Sequence, residues 1–383
     1  MRPLQKLLLI VFCSAACGVC YCQDENDSSY MAGIPVKNLQ LSSDAGHDKK
    51  RLAFGGISVI DARFDTTAVG FIKSHFPFPA KKMAFPAGTA NGIEKYVAAN
   101  YTFVQKTDSS QQLVVLLEKL WITSSYLPDK KEHGDLPAEN EITIDISKNK
   151  GNRDRPAIKT GLIIKANVLS FKNGLYHPMY HVDTINISNA SFINDEEAER
   201  LLEESVDNLL AKIADKNETE LKISRKELSV IEITNYVNQK FTIPAITTAL
   251  FTKGVYKTFD EFKNNHPSIN NFTTGKNSKI TDAMYVKDNT GNDYLLRDFW
   301  GYSDGKKFYI NTGDNFFRLF KQGNSFVFYG FTSIIKKVYL HLERIPLGTS
   351  PLGLANGVMS AQDTKYKGIK TPLEVDMETG EAY

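Results

Sequence analysis

The feature that most constrains this fold is a series of short aromatic segments between Ala283 and Phe331. Turn sequences rich in Asn, Asp and Gly separate these segments at residues 289–291, 303–305, 311–313 and 322–324. Short segments at this spacing, bounded by residues that favour tight turns, are typical of consecutive antiparallel strands. The sequence therefore predicts a C-terminal antiparallel β-meander.

The meander is unusually aromatic. Residues 299–331 contain 12 aromatic side chains in 33 positions, whereas the whole chain is 11% aromatic. Both faces of the predicted sheet are therefore apolar, and the second face must pack against another element, a partner or a ligand such as a glycan. The candidates for such a binding face are Trp300, Tyr302, Tyr309, Phe317 and Tyr329. Packing within the chain is the alternative interpretation, because stacked sheets often have aromatic cores.

The N-terminal half mixes strands and helices. Strands are predicted at residues 57–64, 113–122, 162–171 and 175–187, and a helix at residues 92–104. Asn194 and Glu197 form a capping-box pattern before a second amphipathic helix, and the pairs Ser224 with Glu227 and Thr258 with Glu261 predict two more helix starts. The predicted fold class is α+β, an N-terminal α/β sandwich followed by the antiparallel meander.

The predicted boundaries follow from these patterns. A signal peptide occupies residues 1–22, a linker 23–50, the sandwich 51–216, a helical connector 217–270, the antiparallel domain 271–345 and a tail 346–383. The tail is rich in Pro and Gly, so we expect it to be mostly extended or disordered, although residues 373–377 could pair as an edge strand.

The N-terminus carries an export pattern. Arg2 and Lys6 precede an uncharged run from Leu7 to Cys22, which is followed by polar residues. At 16 residues, this run is shorter than the roughly 20 residues of a membrane-spanning helix, so it predicts a signal peptide. An uncleaved anchor is one alternative, and a lipobox ending in an acylated Cys17 is another.

Removal of this segment changes the chemistry of the chain. All four cysteines precede Gln23, so the exported protein would have no thiol, disulfide or cysteine metal site. The whole chain has 46 basic and 44 acidic residues, and loss of Arg2 and Lys6 leaves a net charge of zero. Nucleic acids and anionic membranes attract an excess of basic residues. The sequence predicts neither partner.

Two segments resemble known families. Residues 61–70 (DARFDTTAVG) are similar to the opening of YajG-like periplasmic auxiliary lipoproteins. Residues 254–267, with the later residues 300–311, resemble exported proteins of unknown function from Bacteroidota. These resemblances imply a cell-envelope location, in the periplasm or at the outer membrane of a Gram-negative bacterium, and they imply no activity.

Three sequence patterns have the spacing of catalytic or metal sites. Residues 301–305 match G-x-S-x-G, but a strand follows them where a serine hydrolase has a helix, so Ser303 is predicted to lie in a hairpin turn. His177 and His181 have the spacing of a helical metal pair but lie in a strand pattern, so no metal site is predicted. One face of the first predicted strand carries Asp61, Arg63 and Asp65. They could form an acid–base pair held by a cation, but the simpler interpretation is a solvated ion-pair ladder.

The chain contains no phosphate-binding or dinucleotide-binding glycine motif, so no cofactor is predicted. The favoured function is a non-enzymatic binding or scaffolding role in the cell envelope, with another envelope protein or a glycan as the partner. The alternative is a glycan-directed or peptide-directed hydrolase outside the cytoplasm, which would need two carboxylates facing each other across an open groove.

Overall fold

The computed structural model describes residues 29–42, 49–72, 80–104, 111–125, 159–188, 194–214, 227–276, 282–288, 290–313, 315–331 and 370–382. Residues 29–35 are separate from the main compact unit, and residues 29–32 make a helical turn. Residues 36–383 form the main compact unit. The predicted signal peptide, Cys17 and the predicted helix start at Ser224 lie outside the described residues.

The helices and strands of the main unit follow in chain order. The helices are α1 (Thr89–Asn100), α2 (Asp195–Ala214), α3 (Val230–Lys240), α4 (Pro244–Thr247) and α5 (Phe259–Lys263). The strands of the first half are β1 (Val36–Asn38), β2 (Lys50–Leu52), β3 (Ile57–Asp61), β4 (Phe71–Ile72), β5 (Lys81–Ala84), β6 (Tyr101–Phe103), β7 (Gln112–Ser125), β8 (Lys159–Lys172), β9 (Leu175–Ile187) and β10 (Leu228–Ser229). Those of the second half are β11 (Gly254–Tyr256), β12 (Phe272–Lys276), β13 (Asp282–Lys287), β14 (Asp293–Leu296), β15 (Gly301–Ser303), β16 (Phe308–Asn311), β17 (Phe316–Gln322), β18 (Ser325–Phe331) and β19 (Lys370–Val375).

A five-stranded sheet in the order β10-β9-β8-β7-β3 organises the first half. Strand β3 runs parallel to β7, and the other neighbours are antiparallel. The predicted turn between β8 and β9 is confirmed, because Asn173 and Gly174 both have positive φ, as a tight two-residue hairpin requires. The apolar residues of α1 and α2 cover one face of this sheet and form the larger core.

Helix α2 is built as the sequence predicts. The Asn194 side chain accepts a hydrogen bond from the Glu197 backbone at 2.8 Å, which satisfies one free N–H of the first turn. Its apolar stripe, from Ala198 to Ile213, is buried against the sheet. The predicted first helix, in contrast, ends at Asn100. Residues 101–103 leave it to pair with β2 as strand β6.

Strands β15 to β18 form the predicted antiparallel meander within a six-stranded sheet in the order β11-β15-β16-β17-β18-β19. The first part of the predicted meander, from Ala283, instead forms β13 and β14 of a separate sheet. One face of the six-stranded sheet packs with α4, α5 and the C-terminal segment. The other face packs on a three-stranded sheet formed by β12, β13 and β14. The α+β fold class is thus confirmed.

The structure differs from the predicted boundaries at three places. The predicted linker contains β1, which pairs with β5, and Leu39, which is buried in the core. The predicted connector contributes β10 to the first sheet and β11 to the second, so it belongs to both. The predicted tail contains β19, an edge strand that pairs with β18. It begins at Lys370, before the edge strand that the sequence allowed at residues 373–377, and its one acidic residue, Glu374, is buried.

Candidate functional site

A small cleft lies where the C-terminal segment meets the five-stranded sheet, and we call it the junction cleft. Its walls are residues 63–65 from the loop after β3, residues 118–121 from β7, and residues 374–378 from β19 and the turn that follows it. The cleft therefore lies between residues of the two large sheets. Most of its polar side chains are charged, which makes it the strongest candidate for a functional site in the described part of the chain.

Arg63 forms one end of the cleft and is only 3% exposed. Its guanidinium binds Asp61 through two parallel hydrogen bonds of 2.8 Å, and it also donates to the Ala68 carbonyl and the Thr89 hydroxyl. The side chain thus ties the loop after β3 to the start of α1. The prediction of a solvated ion-pair ladder is wrong, because β3 ends at Asp61 and the chain turns inward at Arg63.

Asp65 is likewise 3% exposed. Its carboxylate accepts hydrogen bonds of 2.7 Å from the backbone and hydroxyl of Thr67, and another from the Gln322 side chain. Beside it, the Asn324 backbone donates to the Phe64 carbonyl at 3.0 Å. The β17–β18 turn therefore packs on the loop that carries the DARFDTTAVG sequence.

A bulge in β7 supplies the floor of the cleft. The register between β7 and β8 shifts between Leu117 and Lys119, which leaves Glu118 as the extra residue. Glu118 is 7% exposed and accepts hydrogen bonds from Tyr236 at 2.5 Å and Asn167 at 3.1 Å. The bulge thus turns Glu118 toward the same side of the sheet as Lys119, where the C-terminal segment lies.

The C-terminal segment brings carboxylates to three lysines. Asp376 contacts Lys119 of β7, and Glu378 contacts Lys165 of β8 at 2.6 Å. The same Glu378 lies 3.4 Å from Lys240, the last residue of α3. We call residues 374–381 the acidic clamp, because their carboxylates bind lysines on three different elements.

The charges of the clamp alter one another. Burial alone would raise the pKa of Glu378, but Lys165 and Lys240 hold it below its usual value. Burial likewise opposes the charge of Lys165, yet Glu378 raises the Lys165 pKa above its ordinary value. Lys240 also lies 4.5 Å from the centre of the Phe64 ring, and its side chain is 8% exposed. Each ion pair is therefore partly shielded from water.

Glu374 differs from its neighbours. It is 6% exposed, and burial raises its pKa to about 8, with the nearby carboxylates of Asp65 and Asp376 adding to the effect. Near neutral pH this side chain is mostly protonated. A protonated carboxyl group can donate a hydrogen bond or a proton inside the cleft.

The cleft is small. Its internal volume is about 20 Å³, which suits one water molecule, since a single water needs roughly 10 to 15 Å³ by the same measure. The arrangement can hold a proton, a water or a small leaving group between carboxylates and a lysine. It does not have the size of a groove for a sugar ring or a peptide.

The five aromatic candidates are packed inside the chain. Tyr302 and Phe317 are 8% and 4% exposed, and Trp300, Tyr309 and Tyr329 are half-buried. Trp300 contacts Phe262 of α5 and donates from its indole to the Gly380 carbonyl at 3.1 Å. Tyr302 stacks on Tyr309 on the opposite side of the sheet. Trp300 and Phe317 thus belong to one core and Tyr302 and Tyr309 to the other. Tyr329 is half-buried, and the five side chains do not share one open face.

Ser303 is the last residue of β15 and immediately precedes the predicted hairpin turn to β16. It is fully buried, and its hydroxyl accepts a hydrogen bond from the Gly305 backbone at 3.0 Å. Asp304 accepts two further backbone hydrogen bonds of 2.7 Å, from Lys306 and Lys307. Gly305 has φ +94°, a conformation that glycine adopts at little cost. The Ser303 hydroxyl is fully buried and bound to the turn, so a substrate could not reach it as a nucleophile.

The two histidines are separated by a bulge in β9. His177 pairs with Ser170, whereas His181 pairs with Asn167, and the register between β8 and β9 shifts between these pairs. Because side chains alternate along β8, the two histidines point to opposite faces of the sheet. His177 contacts Glu227 at 3.2 Å, and His181 contacts the Asn167 side chain at 2.9 Å. No metal-binding cluster of three or more ligands occurs among the described residues.

Sequence reasoning did not identify the acidic clamp. A weak signal was present, because acidic residues recur at positions 374, 376, 378 and 381, near the end of the chain. Their lysine partners lie at positions 119, 165 and 240. These separations are too long for any local pattern to link them.

Within the part of the chain that the structure describes, no helix combines the length and hydrophobicity needed to cross a membrane. Comparisons with models of protein families, with curated proteins and with solved structures gave no match to this chain.

Proposed function

We propose that the protein is a non-enzymatic component of a bacterial cell envelope, exported by its N-terminal signal, which binds or scaffolds another component. The observation that supports a structural role is the use of the charged residues in the junction cleft. Lys119, Lys165 and Lys240 bind the acidic clamp, and Asp65 binds the β17–β18 turn. These ion pairs and hydrogen bonds link the C-terminal segment and the β17–β18 turn to the first half of the chain.

The N-terminal sequence supports the export part of the proposal. Arg2 and Lys6, the apolar run to Cys22 and the polar start at Gln23 follow the order of a secretory signal. The resemblance of residues 61–70 and 254–267 to exported proteins adds to it. Because no cysteine follows Cys22, an exported form would depend on packing and ion pairs for its stability.

The first turn of α3 is the proposed contact surface for a partner. Val230 and Ile231 are 45% and 70% exposed. A capping box between Ser229 and Glu232 fixes this turn, and Ile233 is buried against the sheet below it. Exposed aliphatic side chains on a rigid support lose little entropy when they bind, which favours association.

Export is tested by expressing the full chain in a Gram-negative host and measuring the intact mass of the product in each cell fraction. We expect a periplasmic or outer-membrane product that begins near Gln23. A matched variant lacking residues 2–22 should remain in the cytoplasm. A soluble cytoplasmic product that retains residues 1–22 would contradict the proposal, whereas a lipid-modified Cys17 would select the lipoprotein form of it.

The binding role is tested at α3. Ile231→Ser should leave the melting temperature nearly unchanged, because the side chain is mostly exposed, and it should reduce photo-cross-linking to envelope components from a probe placed at Thr234. Glu232→Gln, which perturbs the capping box without changing the apolar surface, is the matched control. Equal cross-linking in the wild type, Ile231→Ser and Glu232→Gln would refute the proposal that this turn contacts a partner.

One observation favours the hydrolase alternative. Glu374 keeps its proton near neutral pH, as a general acid must. Against this stands the cleft volume of about 20 Å³, which leaves no room for a glycan or a peptide. Hydrolysis of glycan or peptide substrates by the wild type, lost in Glu374→Gln with the fold intact, would select this alternative.

A further inference from the structure

We propose that Lys119 and Asp376 form an intramolecular isopeptide bond, which joins β7 covalently to the acidic clamp. The observation behind the proposal is that three side chains line one small, partly open cleft: the Lys119 amine, the Asp376 carboxylate in direct contact with it, and the buried carboxyl group of Glu374. This modification goes beyond the proposed function and does not depend on it, because the reaction would need only the folded chain.

The two reacting groups are in contact and shielded. Lys119 Nζ touches Asp376 Oδ2, and their side chains are 19% and 9% exposed. Intramolecular reactions gain greatly when the reacting atoms are held in contact before the reaction.

The surroundings supply the groups that a condensation needs. The Glu378 backbone donates a hydrogen bond of 2.8 Å to Asp376 Oδ1, the oxygen that would carry negative charge when the amine attacks Cγ. Glu374 lines the same cleft, and its charge is influenced by both Lys119 and Asp376. Burial keeps this side chain protonated near neutral pH, so it can deliver a proton to the departing hydroxyl.

The reaction balances without any other reactant. One proton moves from the Lys119 ammonium to the Asp376 carboxylate, and the neutral amine attacks Asp376 Cγ to form the C–N bond. The C–O bond to the protonated oxygen then breaks with the help of the Glu374 proton, and Glu374 regains a proton from the nitrogen. An ammonium and a carboxylate thereby become one amide and one water, and the cleft has the volume for that water.

The chain contains a matched control for this chemistry. Lys276 and Asp282 face each other on β12 and β13 and also make a direct Nζ–Oδ1 contact. Their side chains are 46% and 19% exposed, so water can solvate the lysine. This pair has the same contact but is more exposed to water than Lys119 and Asp376, and we expect it to stay an ordinary ion pair.

Mass spectrometry of the full-length purified protein tests the bond. Trypsin should release a branched peptide in which residues 107–130, uncleaved at Lys119, are joined to residues 371–383. Its mass should be the sum of the two peptides minus one water. Lys119→Arg keeps the charge at this position but cannot form the amide, so it should yield the linear peptide 371–383 at full mass. Glu374→Gln should also yield mostly linear peptide, with its folding checked by circular dichroism.

The control and the contrary outcomes are equally direct. Lys276→Ala should still yield the branched peptide in full. Linear peptides at full mass from the folded wild-type protein would overturn the proposal. A linear peptide 371–383 that has lost one water would also overturn it, because that mass indicates a succinimide at Asp376. A branched peptide that joins Lys165 to Glu378 would assign the bond to the wrong pair and would equally refute it.

Discussion

Arg63 and Asp65 are buried because the chain turns inward after β3 and the β17–β18 turn lies over the loop. The alternation of charged and apolar residues at positions 57–65 correctly indicates a strand, but it does not indicate where the strand ends. Arg63 binds atoms of Asp61 and Ala68, which are close in sequence, and the hydroxyl of Thr89, which is 26 residues away. Asp65 binds Gln322, a residue that no local pattern connects to it. The burial of both side chains depends on partners distant in sequence, so the local alternation of charges predicted a solvated ladder instead.

The hairpin turn at Ser303 gives a prediction at the scale of one residue. Gly305→Val should cost about 2 to 3 kcal/mol, because a β-branched residue is strained at positive φ. Ser303→Ala should cost about 1 kcal/mol, since it removes one hydrogen bond within the turn. Chemical denaturation of both variants measures the two values. Labelling of Ser303 by a fluorophosphonate probe, or a larger loss in Ser303→Ala than in Gly305→Val, would contradict the assignment to a turn.

Glu374 gives a prediction for the dependence of stability on pH. Its pKa is about 8 in the folded protein, whereas an unfolded glutamate titrates near about 4.3. The folded state therefore binds more protons between these values, and this side chain lowers stability as the pH rises. Glu374→Gln removes that contribution. The stability of the wild type relative to the variant should fall from the acid end of this range to its alkaline end, by up to about 1.4 kcal/mol per pH unit.

Urea denaturation of both proteins across this pH range measures the difference. Glu381→Gln is a useful comparison, because the pKa of Glu381 is also raised by burial and a neighbouring carboxylate. A constant difference between wild type and Glu374→Gln at all these pH values would mean that Glu374 is ionised in the folded state.

At the scale of elements, the sequence predicted what short-range patterns control. The β8–β9 hairpin, the capped start of α2 and the turns of the meander all depend on residues within a few positions of one another. The sequence allowed an edge strand at residues 373–377, but its pairing with β18, like the bulge at Glu118, depends on residues far apart in the chain. Their energies come from tertiary packing, so local propensity could not reveal them.

The meander gives a prediction about packing. Tyr302→Ala and Phe317→Ala should each lower the free energy of unfolding by about 3 to 5 kcal/mol, because both side chains lie in aromatic cores. Tyr294→Ala is the matched control, since Tyr294 is 46% exposed on β14, and it should cost less than about 0.5 kcal/mol. Thermal and urea denaturation give the comparison. Losses of unfolding free energy below about 1 kcal/mol in both Tyr302→Ala and Phe317→Ala would contradict their burial and support the interpretation of an exposed binding face.

At the scale of the whole molecule, the C-terminal segment joins the two large sheets. Strand β19 is the edge strand of the six-stranded sheet, and the acidic clamp that begins in it contacts β7, β8 and α3. The β17–β18 turn on the Asp65 loop makes a second connection. Residues that the sequence predicted as a tail thus stabilise the arrangement on which a scaffolding role depends.

Native-state hydrogen exchange of residues 370–382 tests this account most directly. If β19 and the clamp join the sheets, their amide hydrogens should exchange only when the protein unfolds globally, at the same free energy as those of β17 and β18. Pepsin digestion and mass spectrometry would give both values in one experiment. Rapid exchange of residues 370–376 while β17 and β18 stay protected would contradict the account, because the segment would then detach without affecting the fold.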